Sequence, residues 1–140
     1  VLYSGEGSVS YGIDVTNKKF LGKSAFAGYT FSGKYYDEYD EGNSDLFIFF
    51  DDTSSITGVL QKGSYNKYRA TFTAVFDGTK LVITIVEDIE NAPGWEGKTL
   101  EATISGNTLT ITSWNGSKTV GTEKMYDFKG TKLTCEGFAL

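Results

Sequence analysis

An acidic, tyrosine-rich stretch near the start of the chain holds the side chains best suited to bind a metal ion. Residues 37–45 carry five carboxylates and two further side-chain oxygens. Because Ca²⁺ takes about six to eight oxygen ligands, Asp37, Asp40 and Asp45 are candidate calcium ligands. The spacing differs from that of an EF-hand, since Tyr39 falls where that loop needs an oxygen ligand. A solvated hairpin loop explains the same composition without a metal, so both hypotheses stay open.

Aromatic residues next to polar ones in the predicted loops could bind a sugar. The long loop of residues 87–98 contains Trp95 and the chain's one proline, and Trp114 directly precedes the predicted turn Asn115–Gly116. Aromatic rings pack against the apolar face of a pyranose, while nearby amides and carboxylates bond its hydroxyls. The sequence therefore predicts a set of ligand-binding residues in or beside loops: Trp95, Trp114, Tyr65, Tyr68, Asn91 and Glu96. The alternative is that these rings close the ends of a barrel.

Most catalytic chemistry is excluded by what the chain lacks. It contains no histidine and a single cysteine, Cys135, so a Ser-His or Cys-His nucleophile, a histidine metal site and an internal disulfide cannot form within it. Hydrolysis of a glycoside by two carboxylates needs a defined pair, and nothing in the sequence marks one. We therefore predict a non-catalytic protein with no cofactor other than the calcium considered above.

Composition and charge limit the possible partners. The chain has 140 residues, which favours one domain spanning 1–140. Its 18 acidic and 13 basic residues give a net charge of −5, which argues against a nucleic-acid partner because phosphate binding depends on clustered Lys and Arg. The longest apolar run is Leu46–Phe50, far shorter than a membrane helix requires. We expect no membrane span.

Alternating apolar and polar residues along most of the chain predict nine or ten short strands. Several are joined by tight turns of hairpin type, at Asp77–Gly78, Gly106–Asn107 and Asn115–Gly116. The first predicted strand lies around Val9 to Val15, and the one helix candidate, of one or two turns, lies within Asn17–Phe26.

These elements predict an all-β fold with at most one short helix. Short hairpins make an antiparallel meander, and closing it into a β-barrel removes the exposed edges. A two-sheet β-sandwich or jelly roll is the alternative. The run from Leu46 to Phe50 is apolar on both faces, which predicts a central strand covered on both sides.

Three segments carry a family resemblance: Phe26–Tyr36, Phe76–Ile85 and Leu100–Thr112. They resemble bacterial lipocalin-like domains, although Ser24 stands where the Gly-x-Trp signature of true lipocalins has its tryptophan. The resemblance implies a small antiparallel barrel on a cell surface, with a mouth that takes a small ligand.

Taken together, these features predict a non-catalytic binding module, bacterial and extracellular, that recognises carbohydrate through exposed aromatic residues. Two alternatives stay open: a lipocalin-like barrel that binds a small apolar molecule, and a structural or interaction domain of a surface protein. The expected location is secreted or at the cell surface. The first residues, Val1–Gly5, lack both an initiator Met and a basic region, as in a chain whose leader has been removed.

Overall fold

The computed structural model describes residues 22–140, which contain ten strands and no helix. The predicted strand from Val9 to Val15 and half of the helix candidate lie outside these residues. The strands are β1 (Thr30–Asp37), β2 (Gly42–Phe50), β3 (Ile56–Lys62), β4 (Tyr68–Phe76), β5 (Lys80–Glu90), β6 (Thr99–Ser105), β7 (Thr108–Trp114), β8 (Lys118–Val120), β9 (Glu123–Met125) and β10 (Lys132–Thr134).

Eight of these strands form a closed barrel in the order β1-β10-β7-β6-β5-β4-β3-β2, and every pairing is antiparallel. β8 and β9 form a separate two-stranded sheet between β7 and β10 in the chain. The predicted antiparallel meander that closes into a barrel is therefore confirmed, and the sandwich alternative is not. Residues 22–140 contain no helix that is long and apolar enough to cross a membrane.

The alternation that predicts the strands also fills the barrel. In β5, Leu81, Ile83 and Ile85 point inward and are buried, whereas Lys80 and Thr84 are exposed. An eight-stranded barrel has an interior just wide enough for side chains to fill. The buried hydrophobic side chains form one continuous cluster from end to end.

Strand β2 differs from the prediction that Leu46–Phe50 are covered on both faces of the sheet. Its inward side chains, Leu46, Ile48 and Phe50, are buried, but Phe47 and Phe49 lie on the outer face and are only partly buried. Their rings stack on each other with centroids 5.4 Å apart. The prediction of cover on both faces is wrong, because the described part of the barrel has no second layer over this wall.

Two of the three predicted tight turns join adjacent strands. Gly78 and Gly106 have positive φ angles of 101° and 61°, the left-handed conformation that such turns require and glycine adopts without steric cost. The third prediction is wrong. Asn115–Gly116 leads out of the barrel, because β8 pairs with β9 and not with β7.

The barrel has two unlike ends, which we call the lower end and the upper end. At the lower end, Phe26 packs against Phe50, Phe76 and Phe138 with ring centroids 4.9, 5.0 and 5.5 Å apart. The upper end carries the β1–β2, β3–β4 and β5–β6 connections. It also carries residues 115–131, which we call the strap.

Closure of the barrel depends on a short seam. β10 pairs with β1 only at Ser32 and Thr134, and the two backbones pass close to each other at Gly33. A Cβ atom on Gly33 would overlap the carbonyl oxygen of Lys132, so only glycine fits this approach.

A second close approach gives a test of the packing. In Gly58→Ala, the new methyl group would overlap the carbonyl oxygen of Phe49 and press on the Phe72 ring. We expect this variant to lose about 3 kcal/mol of unfolding free energy in urea denaturation, as overpacked sites do. Gly42→Ala is the matched control, because its Cβ would meet no atom nearer than 4.0 Å. Equal stability of the two variants would contradict the packing described.

Candidate functional site

The residues predicted to bind a ligand or a metal all lie at the upper end of the barrel. Strands of a meander alternate in direction, so every second connection reaches the same end. Asp37 and Asp40 lie at the β1–β2 turn, Tyr65 and Tyr68 at the β3–β4 connection, and Trp95 in the β5–β6 loop. Trp114, Asp45, Asn91 and Glu96 complete the group. The structure therefore brings the predicted site residues together at one end of the fold.

Both tryptophans are buried at this end. Trp95 is 0% exposed and Trp114 is 8% exposed. The Trp95 ring stands edge-on to the rings of Trp114, Tyr126 and Phe128, with centroids 5.3 to 5.9 Å apart. The prediction that these indoles are exposed and bind a ligand from their loops is wrong. Their positions agree with the alternative prediction, that these rings close the end of the barrel.

A carboxylate in β5 explains why the Trp95 loop folds inward. Asp88 accepts hydrogen bonds from the backbone N–H groups of Gly94 and Trp95 at 2.8 and 3.1 Å. These bonds turn the loop back over the barrel and place the indole beneath the strap. The Nε1–H of Trp95 has no acceptor among the described residues, so the indole contributes packing and no polar contact.

The strap is fastened to the β1–β2 turn by three backbone contacts. Tyr126 N–H donates to Asp37 Oδ2 at 3.1 Å, Lys124 N–H donates to Glu38 Oε1 at 2.8 Å, and Tyr39 N–H donates to the Lys124 carbonyl at 3.2 Å. The indole N–H of Trp114 donates to the Tyr126 carbonyl at 2.8 Å. Tyr126 has a φ of 62°, which is costly for a bulky residue. These surrounding contacts hold it there.

Asp37 is the most constrained carboxylate at the upper end. It is fully buried and accepts four hydrogen bonds. The donors are the Tyr35 hydroxyl at 2.7 Å and the backbone N–H groups of Tyr39, Asp40 and Tyr126 at 3.0 to 3.2 Å. Each carboxylate oxygen therefore accepts two hydrogen bonds from the protein itself.

The other two candidate calcium ligands are also occupied by internal partners. Asp40 accepts a hydrogen bond from the Lys62 ammonium at 2.7 Å. Asp45 pairs with Lys34 and accepts from the Ser64 hydroxyl at 2.9 Å. Within residues 22–140, no group of three or more Asp, Glu or Cys side chains is placed to hold a metal ion. The calcium hypothesis for Asp37, Asp40 and Asp45 therefore has no geometrical support.

Tyr68 lies beside a buried ammonium group. The Lys62 nitrogen is 5.1 Å from the centre of the Tyr68 ring and 5.9 Å from that of Tyr126, within the range of cation–π attraction. Burial, followed by the nearby Tyr68 and Asp37, raises the pKa of Tyr126 to about 12. Burial and the hydrogen bond to Asp37 raise the pKa of Tyr35 as well.

Asn91 and Glu96 are exposed, but their polar groups bond to neighbouring loops. Asn91 Nδ2 donates to the Lys67 carbonyl at 2.6 Å, and Glu96 Oε2 accepts from the Asp88 N–H at 3.1 Å. The Asn91 bond joins the β5–β6 loop to the β3–β4 connection, and the Glu96 bond holds the β5–β6 loop against the end of β5. Both side chains therefore support the loops that surround the upper end.

Two exposed tyrosines lie close to this end, Tyr36 on the outer face of β1 and Tyr65 in the β3–β4 connection. Tyr65 is 97% exposed and Tyr36 is 59% exposed. Tyr36 pairs with Asn43, and Lys34 pairs with Asp45, across β1 and β2. Gly63 N–H donates to the Asp45 carbonyl at 2.9 Å, which brings the β3–β4 connection against β2.

We call this surface the outer patch, which comprises Lys34, Tyr36, Asn43, Asp45, Ser64 and Tyr65. Lys34, Asp45 and Ser64 form a hydrogen-bonded row; Tyr36 lies two residues from Lys34 on β1, and Tyr65 follows Ser64 in the chain. Tyr65 is a predicted site residue, and its side chain is almost fully exposed to solvent. Tyr36 was not predicted, although strict alternation from the inward Tyr35 already turns it outward.

Comparison with known proteins adds no relative: no family model, no curated protein sequence and no solved structure matches the chain.

Loss of the Asp37 charge tests how the strap is fastened. In Asp37→Asn, an NH₂ group replaces one acceptor oxygen and faces donors. We expect a loss of about 3 kcal/mol in unfolding free energy, the cost of leaving buried hydrogen-bonding groups unpaired. Asp45→Asn, which breaks an exposed ion pair, should cost below about 1 kcal/mol. Similar losses in urea denaturation would contradict the role assigned to Asp37.

The raised pKa of Tyr126 predicts a loss of stability in alkali. The folded protein holds this proton more tightly than the unfolded chain, in which a tyrosine titrates near 10. Its contribution to stability is therefore complete below pH 10 and lost as the pH rises through about 12. Urea denaturation across this interval measures the fall, and Tyr126→Phe should make it shallower. An identical fall in the variant would contradict the assignment.

Proposed function

We propose that the protein is a non-catalytic carbohydrate-binding module, secreted or located at a bacterial cell surface, and that the outer patch is its binding site. The observation that supports this function is the pair of exposed rings, Tyr36 and Tyr65, beside a row of hydrogen-bonded polar side chains.

The chemistry of the outer patch suits a sugar. An exposed tyrosine offers an apolar ring face together with a polar hydroxyl. Asn43 and Ser64 add neutral donors and acceptors, and the Lys34–Asp45 pair adds charged ones. Because Asp45 is already held by Lys34 and Ser64, a ligand meets groups whose positions are set, which lowers the entropy cost of binding.

A lipocalin-like relationship, with a small apolar ligand inside the barrel, is our second interpretation. Its support is the closed eight-stranded antiparallel meander. The buried rings weigh against it. Phe31, Phe50 and Phe138 pack together towards the lower end, and Trp95 and Phe128 fill the upper end. A ligand inside would have to displace side chains, whereas the outer patch is already accessible.

Affinity electrophoresis in gels that contain different polysaccharides tests the proposal. We expect at least one glycan to retard the protein, and Tyr65→Ala to weaken that binding about tenfold, or about 1.4 kcal/mol. Tyr36→Ala should weaken it in the same direction. Val75→Ala is the control, because Val75 is 71% exposed but lies towards the lower end.

Two results would overturn the proposal. One is the absence of retardation by every glycan, which would favour the structural or interaction domain. The other is retardation that neither tyrosine variant reduces, which would place the site elsewhere on the protein.

A further inference from the structure

We infer that the outer patch binds an uncharged polysaccharide at sugars within the polymer, and not a free sugar or the end of a polysaccharide. This inference rests on the proposed function and specifies its ligand. It follows from the position of the exposed rings, the extent of the surface and the charges on it.

Tyr36 lies on the outer face of β1, and Tyr65 lies in the β3–β4 connection with its side chain almost fully exposed. At the mouth, the side chains of Lys62, Trp95, Trp114 and Tyr126 are all buried and the strap crosses over them. A chain end needs a recess that surrounds its last sugar, whereas Tyr36 is 59% exposed and Tyr65 is 97% exposed, so that no recess encloses either ring. Rings that are exposed in this way contact a polymer from one side and leave the polymer free to continue in both directions.

The surface is long enough for several linked sugars. Tyr36 lies on β1 and Tyr65 follows β3, so that β2 separates them by two strand spacings, or about 10 Å. Along β2, the outer face continues from Asn43 through Phe47 to Phe49, about 20 Å at roughly 3.3 Å per residue. A single pyranose would cover only part of this area.

Phe47 and Phe49 have a different role from the tyrosines. Their rings are nearly parallel, with an interplanar angle of 17° and centroids 5.4 Å apart, so each turns one face to the other. They therefore add apolar contact for a longer chain but do not provide the stacking faces. Tyr65 should matter for every ligand length, and Phe47 only for ligands that extend past Asp45.

The charges of the outer patch compensate each other. Lys34 and Asp45 are its two charged members, and they form an ion pair. A polymer with one charge per sugar would compete for one partner and leave the other unpaired, which is unfavourable. An uncharged, hydroxyl-rich chain can bond to the pair without separating it.

Calorimetric titration of the whole protein with a length series tests this inference. The series comprises mono-, di-, tetra- and hexasaccharide fragments of the neutral polymer that retards the protein most in gels. We expect affinity to rise at least about tenfold from disaccharide to hexasaccharide, as linked contacts add. Polygalacturonate and chitosan serve as anionic and cationic probes, and both should bind more weakly than the neutral polymer.

Two substitutions test whether Phe47 and Tyr65 cause the rise of affinity with ligand length. Phe47→Ala should reduce hexasaccharide affinity about threefold and leave the disaccharide unchanged, whereas Tyr65→Ala should weaken both. The length series on the unaltered protein keeps the inference testable if Phe47→Ala is unstable.

The outcomes separate this inference from the proposed function. A monosaccharide that binds as tightly as the hexasaccharide, or preference for a charged polymer, overturns the inference and leaves carbohydrate binding standing. No binding in any arm overturns both.

Discussion

The upper end of the barrel depends on the hydrogen bonds made by one buried carboxylate. Asp37 belongs to β1, yet it accepts the backbone N–H of Tyr126 from a segment far along the chain. A buried charge is tolerated only when donors replace the water it has lost, and Asp37 has four of them. The strap is thereby tied to the first hairpin, and the aromatic rings beneath it are enclosed.

Enclosure of those rings decides which aromatic side chains meet solvent. With Trp95 and Trp114 packed under the strap, the aromatic surface that meets solvent belongs to tyrosines on the wall and loops. The outer patch is built on two paired strands, and Asp45, held by both Lys34 and Ser64, joins them to the loop that carries Tyr65. The buried interior thus fixes the strands on which the proposed binding site lies.

The sequence predicts the strands well because alternation is a local property. Leu81, Ile83 and Ile85 can be assigned inward from their spacing alone, and Gly78 marks its turn. Burial of Trp95 is different, since it depends on Asp88 turning the loop and on a strap contributed by residues far along the chain. A loop rich in glycine and acidic residues looks exposed until that cover is known. The burial of Asp37 cannot be predicted from its local sequence either, because its hydrogen-bond partner Tyr126 lies on the strap.

The order of the strands has a consequence for synthesis on the ribosome. β10 stands between β1 and β7, and it follows every other strand of the barrel in the chain. Until it emerges, the nascent sheet is an open ribbon with β1 and β7 as free edges, available to pair with other chains. Closure of the barrel therefore waits for β10, and the three residues of this strand cover both edges.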